Sequence, residues 1–322
     1  MKKWYGLLAL SFCFSCSPES DGPSDSSRDY RQSMRDFVIG ISQYAKSIKP
    51  GFIVIPQNGI ELVASGNEDA ENPSLPYLNA IDGNGQEDLN FGYDQDNVAT
   101  PLSVVNYLKP YLNLSKSHGK TILVTDYCWD ADKVNASISK NSANGYLSFA
   151  APQRDLNTIP DGPVQYENST SILQLSDAKN FLYLINAESF STKTAFINAV
   201  RATNYDAVIM DLYFNDGTAF TAQEIESMQV KANGAKRLLI CYMSIGEAED
   251  YRYYWQTAWN SAKPDWMEAQ NPDWPGNYKV QYWNPDWQQL IYGNDSSYLK
   301  KITDAHFDGV YLDIIDAFEY FE

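Results

Sequence analysis

Short apolar runs that end on a polar residue recur along the chain: Phe37–Ser42, Phe52–Asn58, Thr121–Asp126, Phe181–Asn186, Asp206–Asp211, Leu238–Ser244, Tyr278–Trp283 and Gly309–Asp313. Continuous apolar runs of this length fit strands buried on both faces, as in a parallel sheet. Between several of them the spacing becomes helical. In Thr192–Thr203 the residues Ala195, Phe196, Ala199 and Val200 share one face. In Thr221–Asn233 the face is Ile225, Met228 and Ala232, with Thr221 and Glu224 spaced as a capping box and Asn233-Gly234 as a helix stop. Ser296–His306 carries Leu299, Ile302 and Ala305 at the same spacing. Strands alternating with helices predict an α/β fold, in the first place a (β/α)8 barrel. An open doubly wound sheet fits the same alternation. The irregular stretch Gly59–Lys120 reads as an elaborated loop at the barrel mouth, on the C-terminal face of the strands.

The N-terminus reads as an address. Lys2 and Lys3 precede a short apolar run, Trp4–Phe14, and Ser15-Cys16 resembles the end of a bacterial lipobox. The expectation is a lipoprotein signal peptide over residues 1–15, with Cys16 as the lipidated residue. A polar tether follows over 16–34, then a single domain over 35–322. The protein is then exported and lipid-anchored in the cell envelope, at the outer membrane or cell surface. Cys128 and Cys241 each sit at or just past an apolar run and read as buried free thiols.

The 322 residues carry 24 Lys+Arg against 41 Asp+Glu, a formal net charge of -17. Loss of Lys2 and Lys3 with the leader makes the rest more acidic still. A protein this acidic lacks the cationic footprint that nucleic acid requires and favours a neutral or cationic partner. Two His and four Cys leave little for a zinc centre. Asp82–Asp88 alternates oxygen side chains like a calcium loop, but Glu87 stands where the loop's sixth-position Gly is needed. No metal and no cofactor are expected, and the protein reads as a monomer.

In a barrel the strand ends point at the active site. Here they carry Asn58, Asp126, Asn186, Asp211, Ser244 and Asp313. Each one alone fits a helix-capping or loop-bonding role as well as a chemical one. The segment Cys241–Arg252 crowds Glu247, Glu249, Asp250 and Arg252 behind Ser244 and Gly246. An arginine beside one carboxylate lowers its pKa and leaves another to act as a general acid. A solvated helix start gives the same crowding of acids. In Phe307–Tyr320, Asp313 closes the last strand and Asp316 lies one turn on. Paired carboxylates flanking one bond are what glycoside hydrolysis needs, and it has no need of histidine. Pro-Asp-Trp occurs at Pro264–Trp266, Pro272–Trp274 and Pro285–Trp287, and Trp255, Trp259 and Trp283 make this the most aromatic segment. These rings, and Trp129 just past Asp126, are candidate sugar platforms; packing of a long loop is the other reading.

The segments YMSIGEAEDYR, FDGVYLDIIDAFEYF and DAVIMDLYFN resemble the TIM-barrel glycoside hydrolase family 114, across roughly Asp36–Glu322. PQNG (Pro56–Gly59) and GYDQDNVATP (Gly92–Pro101) are similar to its bacterial branch in particular. The resemblance implies a (β/α)8 barrel and an endo-acting, retaining hydrolase of α-1,4-linked galactosamine polymers. It places Asp211 at the family's acid-bearing strand end, Glu249 on the glutamate of its SxGxxE segment, and Arg252 on the arginine after it. The last strand departs from the pattern. Where the family tends to read GVEPDN, this chain has Gly309-Val-Tyr-Leu-Asp-Ile, with Tyr311 in place of the glutamate and Asp313 kept. If that glutamate is the acid/base, Glu247, Glu249 or Asp316 must replace it.

The expectation is therefore an exported glycosidase acting on an amino-sugar-containing polysaccharide. Asp211, Glu249, Glu247 and Asp313 form the catalytic set. Asp126, Trp129, Ser244, Arg252, Trp255, Trp283 and Asp316 bind substrate. The alternative, favoured by Tyr311, is a non-catalytic glycan-binding lipoprotein on the same barrel.

Overall fold

The computed structural model describes residues 28–66 and 70–322. The expected signal peptide, Cys16 and the expected tether up to residue 27 lie outside the described residues. Among the described residues no helix is long and apolar enough to cross a membrane.

Helix α1 (Tyr30–Ile48) opens the body, its N-terminus capped by the Asp29 side chain on the Gln32 amide. It buries Met34, Phe37, Val38, Ile41 and Ala45, a helical stripe. The expected strand Phe37–Ser42 is thus helix: the apolar residues upstream and downstream continue at three- and four-residue steps. Tyr30 and Met34 are buried in the body, so the ordered domain begins before residue 35.

Then come β1 (Ile53–Pro56), α2 (Leu75–Ala80), β2 (Gly83–Glu87), α3 (Leu102–Ser117), β3 (Thr121–Tyr127), α4 (Ala131–Ala143) and β4 (Leu147–Ala151). After a long irregular connection follow β5 (Phe181–Tyr183), α5 (Lys193–Arg201), β6 (Ala207–Met210), α6 (Ala222–Met228) and β7 (Leu238–Ser244). A small antiparallel sheet of β8 (Glu247–Glu249), β9 (Met267–Gln270) and β10 (Asn277–Val280) stands beside the mouth. Helices α7 (Pro285–Ile291) and α8 (Tyr298–Asp304) lead to β11 (Gly309–Asp313). The capping box at α6 forms, with Thr221 accepting from the Glu224 amide and Glu224 reaching back.

Among the described residues, eight strands are parallel and follow one another in sequence order, with β11 beside β1. The ladder is nevertheless not a closed barrel. It is divided into a five-stranded sheet, β1-β11-β7-β6-β5, and a three-stranded one, β2-β3-β4. Between β1 and β2 the single parallel bridge Gln57↔Gly85 spans the gap. On the other side β4 lies against β5 through apolar packing, with the Phe149 and Phe181 rings 5.7 Å apart. A three-residue β5 leaves little backbone to extend the ladder there.

Three further expectations change. The run Tyr278–Trp283 starts in β10, which belongs to the antiparallel side sheet. The stretch Gly59–Lys120 holds α2, β2 and α3, a regular part of the fold and no mouth loop. The calcium-loop look-alike Asp82–Asp88 is β2 itself. Cys128 and Cys241 are buried free thiols, as expected.

Candidate active site

Arg252 ties together the two carboxylates that the sequence singled out. Its Nη1 donates to both oxygens of Asp211, at 2.9 and 2.7 Å, and its Nε donates to Glu249 Oε2 at 2.5 Å. Tyr251 donates its hydroxyl to Glu249 Oε1, and the Tyr213 amide donates to Asp211 Oδ1 at 2.8 Å. Asp211 follows β6 directly, while β8 delivers Glu249 from the side sheet. Burial raises the Asp211 carboxyl above its ordinary range, and the Arg252 charge opposes that rise. One buried cation serving two acids keeps both in fixed orientation.

Beside this triad stands a second group. Asp313, at the end of β11, accepts from Gln57 Nε2 at 3.0 Å and from the Tyr242 hydroxyl at 2.5 Å. Gln57 Nε2 also donates to Glu87 Oε2 at 2.7 Å, and Asn58 Nδ2 reaches the same oxygen at 3.1 Å. Tyr127 donates its hydroxyl to Glu87 Oε1. Tyr183 donates to Gln57 Oε1 at 2.8 Å, which turns the Gln57 amino group toward the two acids. Burial, then the charge of Glu87, pushes Asp313 up to about 7. Asp316 rises to about 8, through burial first and the neighbouring Asp313 and Glu319 next. The backbone turns sharply between them: Ile314 is left-handed at φ 59, a strained position for a β-branched residue.

The remaining predicted residues are held elsewhere. Asp126 is fully buried, and its oxygens accept from the Asn90 and Phe91 amides and from the side chains of Asn90, Ser137 and Asn141. With its capacity filled it pins loop to helix and presents nothing to a sugar. Glu247 is buried on the side sheet, where Asn271 and Asn277 donate to its two oxygens at 2.8 and 3.2 Å. Burial is the main cause raising its pKa. Ser244 donates to the Glu247 carbonyl at 3.2 Å and braces the turn. That turn needs Gly246, since a Cβ there would meet the Ile314 backbone and the Ala317 side chain.

Most of the tryptophans pack the insertion between β7 and β11. Trp255 meets Trp259, Trp259 meets Trp266, and Trp266 meets Trp287, with centroids 5.0–5.3 Å apart. Trp283 packs tilted against Tyr30 and edge-on against Tyr282 and Phe321. Among the described residues the exposed tryptophans are Trp129 and Trp274, at 46% and 57%. Each presents a face of the kind a sugar ring uses.

The sequence reading missed Glu87, Gln57, Tyr127 and Tyr242. The segment Gly83-Asn-Gly-Gln-Glu87 has no apolar residue to announce a strand. Its one signal is the two-residue step Gly83, Gly85, Glu87 along one face.

The C-terminal end of β6 and the side strand β8 thus bring two carboxylates onto one arginine, with the Asp313 group at the end of β11 beside them. Residues 173–322 match the family model described as Glycoside-hydrolase family GH114. The matched part runs from before β5 to the C-terminus and includes Asp211, Glu249, Arg252, Asp313 and Asp316. It is shorter than the sequence resemblance, and β1–β4 with Glu87 lie outside it.

Curated relatives are an uncharacterised protein of Methanocaldococcus jannaschii, 40% identical over 48% of this chain and 41% of that protein, and one of Deinococcus radiodurans, 41% identical over 38% and 37%. A third, from Thermotoga maritima, is 36% identical over 38% of this chain and 36% of its own length. The chain thus matches about two fifths of the length of these relatives.

Proposed function

We propose that the protein hydrolyses glycosidic bonds in an amino-sugar-containing polysaccharide of the galactosamine type, by two carboxylates acting on one bond. The observation that carries this reading is the contrast between Asp211 and Asp313 on either side of β7. Asp211 is ion-paired with Arg252 and supplies a negative charge; Asp313 has no cation bonded to it and is pushed up to about 7. An acid paired with a cation and a second acid whose pKa is raised by burial fit the division of labour that glycoside hydrolysis requires. Asp313 gives its proton to the glycosidic oxygen, which keeps the electron pair of the breaking bond. Asp211 stabilises the positive charge left at the anomeric carbon. Water then adds there and returns a proton to Asp313. The GH114 match over residues 173–322 supports the reaction class. The acidic mouth favours a polymer that carries free amines. Endo action follows the family resemblance. Export and lipid anchoring at Cys16 rest on the leader pattern of Lys2, Lys3, the apolar run and Ser15-Cys16.

The test incubates the full chain with α-1,4-galactosamine polymer and with partly acetylated and neutral glycans, and reads released oligosaccharides by mass spectrometry. Products from the amino-sugar polymer alone support the whole reading, and products from another glycan keep the hydrolase and discard the substrate. Tight binding without any product identifies instead the glycan-binding protein that Tyr311 favours.

A further inference from the structure

Tyr311 is fully buried, and its ring lies at 5.2 Å from that of Tyr183. Its phenol extends over Gly85 of β2: a Cβ at Gly85 would fall inside it, 2.8 Å from Cε2 and closer still to Cζ and the hydroxyl. The hydroxyl has no hydrogen-bond partner. Two residues along the same face of β2, Glu87 reaches the level of Asp313. The two share one donor, Gln57 Nε2, so their nearest oxygens are no farther apart than those two bonds allow.

We propose that Glu87 positions Asp313 for proton transfer, acting through Gln57, whose side-chain nitrogen donates to both carboxylates. Glu87 is a positioning residue in this scheme. It makes no bond to the sugar; the proton moves from Asp313 to the glycosidic oxygen and comes back from water, as above. The inference rests on the hydrolase reading and adds a residue that lies outside the matched segment.

The surroundings fit. Every donor bonded to Glu87 is neutral: Gln57, Asn58 and Tyr127. The nearby Arg154 is committed to Asp88 and Asp96, with its guanidinium over the Tyr127 ring at 3.9 Å. The groups facing Asp313 are Glu87 from β2, Tyr242 from β7, Glu249 from β8, Tyr183 from β5, and Tyr311 and Asp316 from its own segment. The nearest charges are all carboxylates. A carboxylate held across one shared donor from another disfavours ionisation of its neighbour.

The experiment compares wild type, E87Q and E87D, all as the full chain, on the amino-sugar polymer and the other glycans across pH 4–9. In wild type the rate falls on the alkaline side as Asp313 loses its proton. Removal of the Glu87 charge in E87Q moves that limb down by about one pH unit. It also lowers kcat at pH 7 by about 10- to 100-fold, with KM within about threefold. E87D keeps the charge but draws it back from Gln57, so its limb lies between those of wild type and E87Q and its rate falls. If E87Q does not fold, E87D carries the test, and an E87D with an unmoved limb and unchanged kcat overturns the inference. An active wild type with an unmoved limb and unchanged kcat in E87Q overturns this inference alone. A folded wild type that releases no product from any glycan overturns the hydrolase reading and this inference with it.

Discussion

The Tyr311 side chain fills the space in which a side chain at Gly85 would begin. The two residues sit on strands β11 and β2, on either side of β1, and each fixes what the other can be. Gly85→Ala forces the ring or the strand to move, at a cost of about 1–3 kcal/mol. Tyr311→Phe removes a buried hydroxyl that has no partner and leaves stability unchanged or slightly higher. Chemical denaturation of the two variants checks both, and a strongly destabilised Y311F contradicts the account.

Asp211→Asn and Glu249→Gln each lower turnover by at least about 100-fold while the fold persists. Product release together with circular dichroism measures both. Near-normal rates in both variants remove the Arg252 triad from the chemistry.

Arg252 neutralises two carboxylates at once, so its loss leaves both uncompensated. Arg252→Met costs about 3–5 kcal/mol of stability, because removing one partner of a buried ion pair strands the other. Arg252→Lys restores the charge but lacks the planar fork that spans Asp211 and Glu249. Its melting temperature falls between those of wild type and R252M.

A similar pair lies away from the mouth. Lys231 and Asp206 are both fully buried, 2.5 Å apart, with Asn168 and the Lys179 amide also bonded to Asp206. Lys231→Met costs about 3–5 kcal/mol, and the double variant D206N/K231M regains much of it. Equal loss in the single and double variants shows that the charge is not the cause.

The raised acids make stability depend on pH with a definite sign. Asp313 and Asp316 rise from 3.8 to about 7 and about 8 on folding, so the folded state keeps protons that the unfolded chain releases. Their contribution is fully present below about pH 4 and is lost as pH climbs through 7 and 8. The melting temperature therefore drops between pH 5 and pH 9, and Asp316→Asn makes that drop smaller. Thermal scans at the two pH values decide it, and an undiminished drop in D316N rules this cause out.

Where local pattern and final environment agree, the chain announced its own structure. The strands β3, β6, β7 and β11 read directly, because each is a continuous apolar run buried on both faces. The cap on α6 read directly too, since Thr221 and Glu224 cap the helix from within its own first turn. Asp211, Glu249, Arg252 and Asp313 stood out because acids and an arginine at apolar strand ends are costly without a purpose.

Tertiary structure decided the rest. Strand β2 is polar and glycine-rich because its inner face must admit the Tyr311 ring and then carry Glu87, which no local periodicity reveals. Phe37–Ser42 is a helix because its apolar neighbours across the next turns face the same layer. Asp126 looked like Asp313 in sequence, a carboxylate at a strand end. Five donors from loop and helix claimed its oxygens, whereas Asp313 met the Gln57 and Tyr242 side chains, the Ile314 amide and another acid. Which carboxylates remain free to react was set by the donors that folding brought to each, and those come from distant parts of the chain.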